Sequence, residues 1–299
     1  QMETNMKQEV LTFNLSKCIP TKDMLSTPFH GHRLVLNSDV GDYTTYSLDF
    51  LEDLVNAERI TEVMIAVNFE SLQPLSAFSA LRSLSIGRGA KQEIDFSSIR
   101  HLKSLSVTGT FIYRNLHELS LSSLAVAETK AFPFEKINSG LQSLYLRHIN
   151  VDWGQIDRFH GLSNLNLIQL PIQDLGGMSE LTALTECVIA YCPRLKEFSG
   201  LRFCRSLQSL ELDHVKGVSA EDLSCLPNLR KLILSSVGTL PSIKFIDSLP
   251  NLKFLSFVGT NILDGDLTPC FRLDYAGTLN KRHYNLKSNQ LPGNHALKE

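Results

Sequence analysis

The sequence predicts an α/β fold, a solenoid with a curved parallel sheet on its concave face and short helical or irregular segments on its convex side. Three observations carry that prediction. An apolar-x-x-apolar-x-apolar string recurs ten times, beginning at residues 60, 81, 102, 121, 141, 162, 184, 207, 229 and 252. Its spacing stays between 19 and 23 residues, the signature of a repeat architecture. The string itself fits a short strand, because alternate side chains share a face and the fourth and sixth positions would point into one core. One such strand cannot bury its apolar edge alone. Stacking the units at about 4.8 Å makes a continuous core, and the roughly 15 remaining residues return the chain to the next strand.

The elements follow in chain order. Gln1 reads as a residue ahead of the native start, with Met2 or Met6 as that start. Residues 1–59 form an N-terminal flank. Within it His32–Leu36 resembles a strand and Leu48–Val55 an amphipathic helix, as expected of an atypical end covering a core edge. The repeats occupy 60–262, from Ile60-Val63-Ile65 through Leu141-Leu144-Leu146 and Leu184-Cys187-Ile189 to Leu252-Leu255-Phe257. Return segments such as Leu226-Pro-Asn-Leu and Leu249-Pro-Asn-Leu are near copies, with Pro227 and Pro250 placed where no ladder bond is lost. Asp95–Leu102 and Ala220–Leu226 read as short helical turns opened by a capping residue. Residues 263–299 form a C-terminal cap in which Phe271–Tyr275 adds a last strand. The tail from Lys281 carries four basic side chains against one acidic, an alternative contact for an acidic partner.

The segments Leu102-Lys-Ser-Leu-Ser-Val-Thr-Gly-Thr-Phe-Ile112 and Leu252-Lys-Phe-Leu-Ser-Phe-Val-Gly-Thr-Asn-Ile262 resemble the eleven-residue motif of the leucine-rich-repeat family. Thr110, Thr260, Asn68 and Cys192 fall at the family's Asn/Cys position. Gly89, Ile149, Leu170, Val215 and Val237 depart from it, so the asparagine ladder is incomplete. The resemblance covers about two-thirds of the chain and implies an arc-shaped solenoid whose usual task is protein binding. The Lys281-Arg-His-Tyr284 segment is similar to the ending of some bacterial members of immunity type.

Composition excludes several classes. A formal net charge of −2 gives no general pull toward nucleic acid or an anionic membrane. No apolar run approaches the ~18 residues of a membrane-spanning helix. The six cysteines lack CxxC or zinc spacing and read as reduced, mostly buried thiols, with a Cys187–Cys192 bridge as the lesser alternative. Glycine-rich phosphate loops, HExxH and GxSxG are absent. The His30/His32 pair reads as surface, and Trp153 as edge packing. No catalytic residue, metal or cofactor is expected. The residues after 262 are too few for the helical ligase domain that some pathogen proteins attach to such repeats.

Positions three, five and seven of each strand are expected on the concave face. The early repeats present Ser, Ala, Gly and Thr there, read as relief of crowding or as a shallow docking floor. From Tyr145 onward the face changes to Tyr145, Arg147, His148, Asn166, Gln169, Tyr191, Glu211, Asp213, His214 and Lys231. Aromatics, Arg and charged groups are the residues enriched at interface hot spots. Arg147 and Asp213 lie three strands apart, about 14 Å, which leaves both charges for a partner. The sequence thus points to a non-enzymatic, monomeric, cytoplasmic recognition module that binds another protein between about 145 and 231. Immunity-type and effector-type bacterial binders are its two versions. The alternative is a small-molecule or glycan sensor with a pocket near Tyr145 and Tyr191. An enzyme, or an adaptor that recruits one, is the third reading.

Overall fold

The computed structural model describes residues 10–87 and 92–294. Met2, Met6, Gly89, Lys298 and Glu299 lie outside the described residues. The chain forms two compact units, Gln1–Asn138 and Ser139–Glu299.

In the first unit six parallel strands make the ladder: β1 (Val10–Asn14), β2 (Arg33–Asn37), β3 (Glu62–Ile65), β4 (Ser83–Gly87), β5 (Ser104–Thr108) and β6 (Ser123–Ala127). The second unit has seven: β7 (Ser143–Arg147), β8 (Asn164–Ile168), β9 (Glu186–Ala190), β10 (Ser209–Asp213), β11 (Lys231–Ser235), β12 (Phe254–Ser256) and β13 (Tyr275–Gly277). Pairing is in register, so Leu144, Leu165, Cys187, Leu210, Leu232 and Leu255 form one buried row. All three apolar positions of all ten sequence repeats are at most 2 % exposed. Each such burial is worth about 1.5–3 kcal/mol, which is why the period survives where other positions drift. Two strands of the ladder precede residue 60 and one follows 262.

The return segments are short. Most are 3₁₀ turns, with three brief α-helices at Lys22–Leu25, Trp153–Ile156 and Ala220–Ser224. Leu48–Val55 contains a 3₁₀ turn, Asp49–Asp53, and buries Leu48, Leu51 and Leu54. In the five-residue 3₁₀ turns the third position meets the core, as Leu51, Leu75, Met178, Leu201, Ile246 and Cys270 do, a period that 3₁₀ geometry supplies in fewer residues than an α-helix. Asp95 Oδ1 accepts from the Ser97 amide ahead of Ser97–Ile99, and Ser219 and Asp222 form a reciprocal capping box on Ala220–Ser224. Trp153 packs over Gly177, where an added Cβ would lie 2.4 Å from the Trp153 side chain. Its ring N–H donates to the Asp174 carbonyl at 3.0 Å.

The family's turn residue is only partly realised. Thr260 is fully buried, and its hydroxyl donates to the Leu234 carbonyl at 2.6 Å and accepts from the Val237 amide at 3.1 Å. Cys192 also turns inward. Thr110 and Asn68 do not. Phe111 takes the inward place beside Thr110, which is exposed, and Val67 takes it beside Asn68, whose amide donates to Tyr43. In both cases the bulkier apolar neighbour wins the core position. A second asparagine ladder stands at strand entry instead: Asn228 Nδ2 donates to the Arg205 carbonyl at 2.8 Å, and Asn251 Nδ2 to Pro227 at 2.9 Å.

The C-terminal segment folds back on the last repeats. The Tyr284 hydroxyl accepts from the Ile262 amide and donates to the Thr260 carbonyl, and Lys281 Nζ reaches Asn261 Oδ1. The outer edge of β13 is met by the Pro292 carbonyl and the Asn294 amide. Both contacts protect a strand edge that would otherwise template another chain.

Candidate functional site

The ten sequence-selected residues all lie in the second unit, and the structure sorts them into two adjoining surfaces. Tyr145, Arg147, Asn166, Glu211, Asp213 and Lys231 stand on the open face of β7, β8, β10 and β11. Tyr145 pairs in register with Asn166, and Arg147 with Ile168. Asp213 pairs with Ala190 on one side and Ser235 on the other.

His148, Gln169, Tyr191 and His214 are not on that face. Each is the residue immediately after its strand, and each is left-handed, with φ of 49°, 54°, 54° and 48°. Glu128 and Ser236 repeat the conformation at the equivalent place, where Gly109 and Gly259 also have a positive φ, of 114° and 75°. The reason is local. The amide of this residue adds one more ladder bond, from Gln169 to the Ala190 carbonyl at 2.9 Å and from Tyr191 to Asp213 at 2.9 Å. The positive φ then turns the chain so that Ile149, Leu170, Cys192 and Val215 plug the core. A non-glycine residue there costs on the order of 1–2 kcal/mol, so the exposed column along the strand exits is held against its intrinsic preference.

Across this column Tyr191 and His214 stack, with ring centroids 4.5 Å apart and planes inclined by 13°. His214 Nδ1 lies 2.7 Å from Asp213 Oδ1. Asp213 is therefore engaged within the protein, which corrects the expectation that its charge is left for a partner. Arg147 is engaged as well. Lys231 lies over the Phe254 ring at 5.6 Å, and Phe254 stacks on Tyr275 at 4.5 Å and 11°. Phe254 and Tyr275 extend this cluster beyond the ten selected residues, and their separation of 21 residues equals the repeat spacing. Asn164 Nδ2 donates to Glu186 Oε2 at 2.8 Å on the same face.

Two shallow cavities flank these strands. One, of about 400 Å³, lies at the strand exits among His148, Asn150, Gln169, Pro171, Pro193 and Arg194. The other, of about 480 Å³, lies at the strand entries. Neither Tyr145 nor Tyr191 lines either of them. Beneath the sheet Cys187, Cys192 and Cys204 are free and buried, so the Cys187–Cys192 bridge is not formed. Burial pushes the Cys204 thiol up to about 12 and raises those of Cys187 and Cys192. Among the described residues, no group of three or more His, Cys, Asp or Glu side chains is arranged to hold a metal ion. Among the same residues no helix is long and apolar enough to cross a membrane.

Residues 138–251 match the family model of the leucine-rich-repeat domain of the endo-β-N-acetylglucosaminidase EndoS. No curated protein matches the chain. Among solved structures, an internalin (InlF) from Listeria monocytogenes is similar at TM-score 0.53 and 20 % identity, over 78 % of this chain and 68 % of that one. The functional domain of InlJ from the same organism, which includes a cysteine ladder, gives 0.51 and 14 %, over 87 % and 64 %. The mouse RP105/MD-1 complex gives 0.54 and 17 %, over 86 % of this chain and about half, 54 %, of that chain. These likenesses, with the tenfold motif, show that the chain has the leucine-rich-repeat fold, and the family model matches its second unit.

Proposed function

We propose that the chain is a non-catalytic recognition module that binds another protein with the second unit, through the strand-exit column and the adjoining open face. The observation that supports this is the Tyr191–His214–Asp213 cluster. Two planar side chains from successive repeats are stacked, anchored by a carboxylate and displayed at strained backbone positions, with Tyr191 47 % exposed. Rigid, amphipathic aromatic groups contribute contact area with little further loss of side-chain entropy. Tyr145, Asn166, Glu211 and Lys231 extend the surface across the sheet. The InlF, InlJ and RP105 structures share the fold, and RP105 stands there in a complex with MD-1.

The test is quantitative binding to a protein captured from source lysate, comparing wild type with Tyr191→Ala and His214→Ala. Both substitutions are at exposed sites and are expected to leave the fold intact by circular dichroism. Each lowers affinity tenfold or more if the cluster is a hot spot. Unchanged affinity for both removes this surface from the proposal. The identity of the captured protein, toxin or host factor, separates the immunity-type from the effector-type version.

A further inference from the structure

We infer that the strand-entry edge of the second unit is a separate site for an acidic saccharide, independent of the protein-binding surface. Its geometry comes from two columns of polar side chains that flank the buried Leu207, Leu229 and Leu252. Ser206, Asn228 and Asn251 stand one residue before those leucines, and Thr185, Gln208 and Arg230 stand on the strand-entry side one residue after their own. Between the columns lies the cavity of about 480 Å³. From Ala183 to Asn251 it crosses four repeats, about 14 Å at the spacing of parallel strands.

The walls are set before any ligand arrives. The amides of Asn228 and Asn251 are fixed to the Arg205 and Pro227 carbonyls, and the Thr185 hydroxyl to the Ser163 carbonyl. Among the described residues, the Ser206, Gln208 and Arg230 side chains carry no such bond and border the same space. Held amides and hydroxyls beside uncommitted donors suit a ligand whose own groups both donate and accept. That is the chemistry of a polyol. Arg230 adds a planar, permanently charged fork matched to a carboxylate.

Other ligand classes fit less well. Ala183 is the single apolar residue in the lining, whereas drug-like and peptide sites rely on apolar walls. Single-stranded nucleic acid needs stacking platforms and several cations, and this lining has one cation and no aromatic ring. A short chain of uronic-acid residues satisfies the hydroxyl-bonding walls and the one positive charge together.

The experiment is ligand-observed NMR and calorimetry on the full chain, with tri-galacturonate as the probe. Maltotriose serves as the neutral control and a hexaglutamate peptide as the acidic non-sugar control. Saturation by tri-galacturonate is expected, with at least tenfold weaker binding of maltotriose and of the peptide. Arg230→Gln is expected to weaken tri-galacturonate tenfold or more, and Gln208→Ala by a smaller factor. Both side chains stand at the surface, so an unchanged melting temperature is the folding control. Tyr191→Ala is expected to leave the affinity unchanged, which separates this site from the protein-binding reading. No saturation at millimolar tri-galacturonate, equal binding in Arg230→Gln, or preference for the peptide would each overturn the inference.

Discussion

The outward faces of β4 to β6 in the first unit and of β7 to β11 in the second carry opposite chemistry. On β4, β5 and β6 the outward positions are Ser83, Ser85, Gly87, Ser104, Ser106, Thr108, Ser123, Ala125 and Ala127. On β7 to β11 they include Tyr145, Arg147, Asn166, Glu186, Glu211, Asp213 and Lys231. The inward positions hardly differ, being Leu, Ile, Val or Cys throughout. Core packing thus fixes alternate residues of each strand, and the residues between them are free to encode a surface. The second unit uses that freedom to build contacts among its own side chains, Asn164–Glu186, Asp213–His214–Tyr191 and Lys231–Phe254–Tyr275. A pre-ordered surface loses less entropy on binding than a flexible one.

The largest effect falls on what the two faces share. Leu210→Ala removes a side chain that is 0 % exposed and is expected to cost about 3–5 kcal/mol by denaturant unfolding. Ser106→Ala, on the outward face of β5, is expected to change stability by less than about 0.5 kcal/mol. Equal effects would dissolve the distinction between inward and outward positions.

Next in size is the turn column. Thr260→Val keeps the shape but strands the Val237 amide and the Leu234 carbonyl, at a cost of about 1–3 kcal/mol. Thr110→Val, at the same motif position but exposed, is expected to cost little.

The four buried thiols are all in the second unit, and they give it an alkaline liability. Burial raises Cys204 and Cys270 from 9.0 to about 12, so their neutral forms are favoured in the folded state. Because the folded values lie above the unfolded ones, this contribution is full below pH 9. It is lost as pH rises toward 12. The denaturation midpoint is expected to fall between pH 8 and pH 10.5, and less steeply in Cys204→Val. A thiol reagent at pH 8 is expected to label the exposed Cys18 and Cys225 rapidly and the other four only after unfolding.

Smallest is the effect of the strained column itself. Gln169→Gly relieves a φ of 54° but makes the unfolded chain more flexible, for a net gain of at most about 1 kcal/mol in melting experiments. Gly259→Ala is the opposite case, since its φ is 75° and the new Cβ would lie 2.5 Å from Ser236 Oγ. It is expected to destabilise by a similar or larger amount.

The ladder was legible in the sequence because burial repeats every 19–23 residues and admits few residue types. The strand-exit column was not. Alternation along a strand says nothing about the residue after it, and Tyr191 or His214 carries no glycine to signal a left-handed turn. Nor could composition show that Asp213 answers His214 rather than a partner, because sequence neighbours on opposite sides of a strand end were read as sharing one face. Thr110 and Thr260 are alike in sequence, and only the competition with Phe111 for the core tells them apart.

The most direct test of a protein-binding second unit sets the two faces against each other with the captured partner. Binding affinity is measured for Tyr191→Ala/His214→Ala in the second unit and for Ser85→Arg/Ser106→Arg in the first, after both are shown to be folded. A loss of at least tenfold is expected for the first pair and a change within twofold for the second. Retained binding in the first pair with loss in the second would make the small-residue face the docking floor and contradict the proposed site.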